Sequence, residues 1–447
     1  MSNVNPRRVA INILVDIEEN QAFSNIAINK FLKKNEVSSL DRRFISQLVY
    51  GVLENKLYLD YIIQNFSKTK LHKIEIEILN ILRLGLYQII FLEKVPNSAA
   101  VNESVKIAKK VNYRLSGFVN GILRNYVRNQ NKVKLPSFDQ NPNHHLSIKY
   151  SHPEWLVKKW INDYGIDFTK KLLEANNSSP NLTVRTNTLK ITREVLMEEL
   201  EGEDVVCRVG EFAENSIVME SMKSRLDRLK AFNKGLFQVQ DESSMLVSQV
   251  LNPMEGEFVI DVCSAPGGKS THMAQLMKNK GRILSRDIHD HKLDIVRENS
   301  NRLGISIIET ERFDATTLDK NLLGKADKVL VDAPCSGLGI IRRKPEIRYF
   351  KEANDIQELS KLQLEILNVS SKYVKVGGAI VYSTCTIQDE ENANIVNRFL
   401  KQNDNFTLVD INKNLPEKIR SSKSFLQLYP HISNTDGFFI CKMERVR

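Results

Sequence analysis

Apolar residues recur with two different periods along this chain of 447 residues, and the change of period divides it. Over the first 130 residues the period is helical. Val9, Ile13 and Ile17 lie four apart, Ile45, Leu48, Val49 and Val52 repeat the spacing, and Ile74, Ile78, Ile81 and Leu82 form a third stripe. Positions three and four apart share one helix face, so each stripe needs a neighbour to cover it. Ser98, after Pro96, is placed to cap a helix carrying Val101, Val105 and Ala108, and a further helix carries Phe118, Ile122, Leu123 and Tyr126. Five or more helices joined by short turns predict an all-helical bundle over 1–130. The most apolar stretch, Ile78 to Leu92, contains Arg83 and is too short to span a bilayer, so it is expected as a buried core helix.

The polar, proline-containing residues 131–147 are expected to be a linker. Residues 148–235 mix short strand patterns (Leu182 to Arg185, Val205 to Val209, Ile217 to Met219) with a helix from Arg193 to Leu200 capped by Thr192, which predicts a small α+β subdomain. From residue 236 the period becomes that of alternating strands and helices. Strands are expected at Phe258 to Cys263, Arg282 to Asp287, Ser306 to Glu309, Lys328 to Asp332 and Ala379 to Ser383. This is the pattern of a Rossmann-like α/β domain over 236–447. Two late runs, Phe406 to Ile411 and Gly437 to Met443, add an antiparallel pair at its edge.

Composition narrows the class. Hydrophobic content of 42% and charged content of 26% describe a water-soluble globular chain. A net charge of +10 favours a polyanionic partner. The charge is uneven: Ser104 to Phe138 contains no Asp or Glu, yet carries Lys106, Lys109, Lys110, Arg114, Arg124, Arg128, Lys132 and Lys134. Most charge runs only solvate a helix, but a span this long without an acid points to a phosphate backbone. None of the five cysteines forms a C-x-x-C pair, which argues against a disulfide framework and against a bound metal. Free thiols and the lack of an apolar segment after the first arginines predict a cytoplasmic monomer without a membrane partner.

The chemistry sits at the strand ends, where ligands bind in an α/β sheet. After the first strand comes Cys263-Ser264-Ala265-Pro266-Gly267-Gly268-Lys269. It has neither the spacing of a phosphate-binding P-loop nor that of a dinucleotide fingerprint. Asp287, Asp314 and Asp332 stand at or after the next three strands. Singly, each acid would serve as a helix cap; together they suit a nucleoside cofactor with a cationic centre and no phosphate. S-adenosyl-L-methionine has those features.

Two strands then run into cysteines, Asp332-Ala-Pro-Cys335-Ser-Gly and Ser383-Thr-Cys385-Thr. A lone cysteine is most often a small buried hydrophobe, which is the expectation for Cys207 and Cys441. A pair at matching strand ends beside an acid predicts covalent chemistry. Carbon 5 of a pyrimidine becomes nucleophilic when a thiolate adds at carbon 6, and Asp332 is placed to hydrogen-bond the ring nitrogen. Adenine-methylating enzymes carry an aromatic after the Asp-Pro-Pro turn; here that position is Cys335, which favours cytosine. The chemistry alone does not say which thiol attacks.

These motifs, with Phe237-Gln-Val-Gln-Asp-Glu-Ser-Ser244 and Asp436-Gly-Phe-Phe-Ile440, resemble the RNA cytosine-5 methyltransferases of the NOL1/NOP2/Sun family over residues 145–447. Asn102-Glu-Ser-Val-Lys-Ile-Ala-Lys109 and Phe118-Val-Asn-Gly-Ile-Leu-Arg124 resemble a NusB-type RNA-binding domain. The resemblance implies that Cys385 is the nucleophile, that Cys335 assists release, and that the cofactor is held by Cys263 through Lys269 with Asp287, Asp314 and Asp332. The domain pairing implies a cytosine of 16S ribosomal RNA as substrate. A transfer-RNA cytosine methyltransferase, or a non-catalytic RNA-binding or ribosome assembly factor, is the alternative. Arg342, Arg343, Lys344 and Arg348, just past the Pro-Cys turn, are expected to grip RNA phosphates, as are Lys106, Lys109, Lys110, Arg124 and Arg128. Ser264 stands where the family commonly has Ala, and the polar Ser285-Arg286 precedes Asp287 where apolar residues are usual.

Overall fold

The computed structural model describes residues 5–34 and 37–447. Met1 to Val4, on which part of the reading of the N-terminus rests, lie outside the described residues, as do Asn35 and Glu36. The chain forms two compact units, one of residues 1–178 with 341–353, the other of 179–340 with 354–447.

The first unit is helical. Its helices run Pro6–Asn20, Ser24–Lys34, Ser39–Glu54, Lys56–Phe66, Ile76–Phe91, Asn97–Val111 and Ser116–Asn129. The predicted stripes are buried: Val9, Ile13, Ile17, Ile45, Leu48, Val49, Val52, Ile78, Ile81 and Leu82 belong to one core. Ile76–Phe91 is the apolar helix expected from the sequence, buried without a break from Ile78 to Gln88. Arg83 is tolerated inside it because Asp60 takes the guanidinium in two bonds of 2.6 and 2.8 Å and Glu18 takes a third at 2.7 Å. The helix expected to be capped by Ser98 begins at Asn97 instead. Among the described residues, no helix is long and apolar enough to cross a membrane.

The unit continues past residue 130. Pro142–Tyr150, Glu154–Tyr164 and Ile166–Asn176 are helices, so the segment read as a linker ends in one. Asn141 caps it by accepting from the His144 N–H, with Pro142 at the first helical position. Segment 341–353 completes the unit with the short helix Ile347–Phe350, and Phe350 packs on the bundle core.

The second unit holds two sheets. The smaller is antiparallel, with strands β1 (Leu182–Thr186), β2 (Val205–Val209), β3 (Ser216–Met222) and β4 (Phe237–Val239) in the order β2-β3-β1-β4. The helix Arg193–Glu201 covers it, capped by Thr192 as read from the sequence. The larger sheet contains β5 (Phe258–Asp261), β6 (Arg282–Asp287), β7 (Ile308–Arg312), β8 (Ala326–Asp332), β9 (Val374–Thr384), β10 (Phe406–Leu408), β11 (Leu426–Leu428) and β12 (Phe438–Arg445). Its order is β10-β12-β9-β8-β5-β6-β7, with β11 on β12. The strands β7, β6, β5, β8 and β9 are parallel, and β12, β10 and β11 are antiparallel additions. Ser285 and Arg286 are buried in β6. Arg286 is accommodated by ion pairs to Glu311 at 2.6 Å and Asp319 at 2.7 Å and by stacking on Phe313.

Candidate active site

All the site residues of the second unit sit at the C-terminal ends of parallel strands, where the helices that follow leave a crevice. A cleft of about 330 Å³ is lined there by Val262, Cys263, Ala265, Asp287, Asp314, Asp332, Cys335 and Cys385, and by Leu362 and Ile366 of the helix Ala353–Ser371. The loop after β5 turns at Gly267, whose φ of 93° is left-handed, and a Cβ there would stand 3.2 Å from Val296. Glycine is the residue this turn requires. The helix Gly268–Leu276 starts immediately after it.

The three predicted acids have distinct partners. Asp287 Oδ1 accepts from the His289 N–H at 3.0 Å. Asp314 accepts from the N–H and the hydroxyl of Thr316 at 2.9 and 2.7 Å, and these bonds hold its carboxyl below the ordinary range. Asp332 is gripped on both oxygens, by Lys269 Nζ at 2.6 Å and by the Ser383 hydroxyl at 2.8 Å. Lys269 therefore belongs to the acid as much as to the loop. Its ammonium also lies 5.1 Å from the centre of the Phe438 ring.

Strand register brings the thiols together. β8 and β9 are parallel with Asp332 opposite Ser383, so Cys335 and Cys385 leave the sheet side by side. Their sulfurs are 3.4 Å apart. The Ala333 N–H donates to the Ser383 carbonyl, the Gly339 N–H to the Cys385 carbonyl, and the Gly437 N–H to the Gly339 carbonyl. Neither thiol is paired in a disulfide. The hydrogen bond with Cys385, followed by burial, pushes the Cys335 thiol well up. Burial and the surrounding acids raise Cys263, which also lines the cleft. Cys441 is a buried hydrophobe in β12, and Cys207 is half-buried in β2.

Two buried carboxyls beside the site were not singled out from the sequence. Asp261, at the end of β5, is fully buried and accepts from the Ser270 hydroxyl at 2.6 Å. Burial pushes its carboxyl up to about 7, against the pull of that hydroxyl. Its place at a strand end was the readable signal. Glu391 is also fully buried and bonds Ser336, the neighbour of Cys335. Its setting, Glu390-Glu391-Asn392, looks like an exposed loop and carries no such signal.

The basic residues divide. Lys106, Lys109, Lys110, Arg124 and Arg128 are exposed on the helical unit. Arg124 and Arg128 line a groove of about 480 Å³ with Asn97, Ser98 and Asn102. Arg342, Arg343, Lys344 and Arg348 are different, and for Arg342 and Arg348 the expectation that they grip phosphates beside the catalytic turn is corrected here. They lie in the segment built into the helical unit. Arg342 is 4% exposed and Arg348 is fully buried. Arg348 donates to Asn177 Oδ1 at 2.7 Å and to the Ser151 carbonyl at 3.2 Å, among other acceptors. Arg343 and Lys344 are half-buried, with Lys344 4.4 Å from the centre of the Phe23 ring, and Arg342 and Arg343 are each engaged within the protein. The terminal nitrogens of Arg348 are spent on acceptors inside the protein and are not offered to RNA.

Comparison with known proteins agrees with this anatomy. The family described as 16S rRNA methyltransferase RsmB/F matches residues 248–444. The NusB family matches residues 4–128, and the ferredoxin-like domain of RsmF/B-like methyltransferases matches residues 152–224. The crystal structure of PH0851 superposes with a TM-score of 0.85 at 28% identity, covering 99% of each chain. The structure of NSun6 from Pyrococcus horikoshii with SFG covers 66% of this chain and 98% of its own, with a TM-score of 0.59 and 26% identity. A probable ribosomal RNA small subunit methyltransferase B of Bacillus subtilis is 40% identical over the whole of both chains. With that full-length identity and all three domains matched, the chain belongs to the ribosomal RNA small subunit methyltransferase B family.

Proposed function

We propose that the protein methylates carbon 5 of a cytosine in 16S ribosomal RNA through a covalent adduct between Cys385 and carbon 6 of the base. The observation that carries this is the pair of sulfurs 3.4 Å apart beside an acid at the mouth of the cofactor cleft. The choice of RNA is supported by the names of the relatives, ribosomal RNA small subunit methyltransferase B.

The cleft residues fit S-adenosyl-L-methionine. Three carboxylates converge without a phosphate-binding loop, which suits a ribose, an adenine and a cationic centre. SFG, carried by the NSun6 structure, is an analogue of that cofactor. Asp287 and Asp314 would hold the nucleoside, and the Cys263–Gly268 loop would hold the amino-acid end. The bound cofactor supplies an electrophilic methyl group.

The chain's own residues do the rest. The Cys385 sulfur bonds to carbon 6 of an unstacked cytosine, which shifts electron density to carbon 5 and to ring nitrogen 3. Asp332 would hydrogen-bond the ring on that side, and Lys269 and Ser383 fix the orientation of its carboxyl. Once carbon 5 carries the methyl group, its proton passes to solvent water, the electron pair of that C–H bond restores the double bond to carbon 6, and the bond from carbon 6 to sulfur breaks with its pair left on sulfur. Cys335 lies within hydrogen-bonding distance of the departing sulfur.

The experiment is methyl transfer to a 16S ribosomal RNA transcript. Cys385→Ala is expected to reduce product below detection and to leave no adduct; retained turnover would refute the assignment of the nucleophile. Cys335→Ala is expected to accumulate a covalent RNA–protein band that resists denaturing electrophoresis. Absence of that band would remove Cys335 from the release step.

A further inference from the structure

Glu391 lies six residues beyond Cys385 and is fully buried. Its Oε1 accepts from the Ser336 N–H at 2.8 Å and from Gln363 Nε2 at 3.0 Å, and its Oε2 accepts from the Ser336 hydroxyl at 2.6 Å. The Ser336 hydroxyl also meets the Thr386 hydroxyl at 2.9 Å. Ser336 follows Cys335 and Thr386 follows Cys385. One carboxyl therefore fastens the residue next to each sulfur. The Tyr382 hydroxyl anchors the backbone of Glu391 in turn, donating to its carbonyl at 2.6 Å.

A neutral amide in this place would brace the two turns about as well. Burying a carboxylate is costly, and a costly buried charge calls for a use. A negative charge beside a thiol disfavours its ionisation. Among the described residues the titratable groups near Cys335 include Cys385, Glu391 and Tyr382, with Cys263 across the same cleft and the Lys269–Asp332 ion pair beyond, and of these Glu391 is fastened to its neighbouring residue.

We infer that Glu391 is a positioning residue that fixes the separation of the two sulfurs and, by its charge, keeps the proton on Cys335. Cys335 then donates its S–H to the Cys385 sulfur. This rests on the cysteine chemistry proposed above and gives it a direction, since a thiol so held stabilises the sulfur that departs from carbon 6. The raised proton affinity of Cys335, owed first to its hydrogen bond with Cys385, then to burial, and in smaller part to Glu391, agrees with the geometry.

The test is alkylation of the full-length protein by iodoacetamide across pH 6 to 9, with Cys335 and Cys385 followed separately by peptide mass. In the unaltered protein Cys335 is expected to react more slowly than Cys385 throughout; Cys335 reacting first would overturn the inference without any variant. Glu391→Gln keeps the shape and removes the charge. It is expected to raise the Cys335 rate at neutral pH about tenfold, a shift of about one pH unit. Ser336→Ala keeps the charge and loosens the brace. There the Cys335 rate should stay within about twofold while methyl transfer falls at unchanged KM for RNA. An unchanged Cys335 rate in Glu391→Gln, or an equal rise in Ser336→Ala, would overturn the role of the charge. Alkylation needs neither RNA nor methyl transfer, so this outcome is separate from the fate of Cys385→Ala.

Discussion

Asp261 and Arg348 illustrate what burial does to a single ionisable residue. Asp261 carries its proton near neutrality because its surroundings strip away water. A carboxyl whose folded-state value is raised contributes stability at low pH and loses it as pH climbs. The window runs from about 3.9, the value in an unfolded chain, to about 7. Thermal melting between those limits should therefore show stability declining with pH, by at most about 1.4 kcal/mol per pH unit. Asp261→Asn should flatten that decline. Arg348 shows the opposite solution, a buried cation surrounded by carbonyls. Arg348→Ala would orphan them and is expected to cost about 3 kcal/mol, read as a lower melting temperature. In sequence, Arg342-Arg343-Lys344 and Arg348 look like any basic loop, because nothing local separates a solvated arginine from one that bonds to residues some 200 positions away. Cys335, Cys385 and Asp332 were legible for the converse reason: each ends an apolar strand, and strand ends locate a site without further contacts.

At the scale of elements, the register of β8 against β9 does most to make the site. It aligns Asp332 with Ser383, and both cysteines follow from that. The turn beyond is held by a close approach of two glycines, where a Cβ on Gly339 would stand 2.0 Å from the Gly437 carbonyl oxygen and 2.8 Å from that of Cys385. Gly339→Ala should therefore displace the Cys385 turn, lowering methyl transfer and costing about 1–3 kcal/mol in denaturant unfolding. Elements with clear periodicity were readable: β1, β2 and β6 fall within a residue or two of expectation, as does the helix capped by Thr192, while β3 runs three residues past its expected end. β4 and β11 were not, since three-residue strands are too short for alternation to show. The helix Pro142–Tyr150 was hidden by its polar composition, and β7 begins two residues later than its apolar run suggested.

At the scale of the whole chain, the charge is concentrated where the sequence placed it. Lys109, Lys110, Arg124 and Arg128 are exposed on the helical unit. Replacing these four with glutamine should flatten the dependence of RNA affinity on salt, by about 0.7 in log–log slope for each single-stranded phosphate no longer neutralised. An unchanged slope would return them to plain solvation. Deleting residues 1–130 would be a poor substitute, because Phe350 and its neighbours pack on that core and would be stripped with it. The chain enters the helical unit a second time at Ile341 and leaves it at Ala353, which no local pattern announces. This re-entry bears on biosynthesis. Glu346, fully buried, accepts the backbone N–H of Ser24 at 2.9 Å, and Arg348 ties together residues 150 to 177. At about 5–20 residues per second on the ribosome, the amino-terminal bundle waits on the order of ten seconds or more after residue 178 emerges before its last piece arrives. Nascent bundles should thus stay sensitive to protease until residue 353 clears the exit tunnel, and become resistant in one step thereafter.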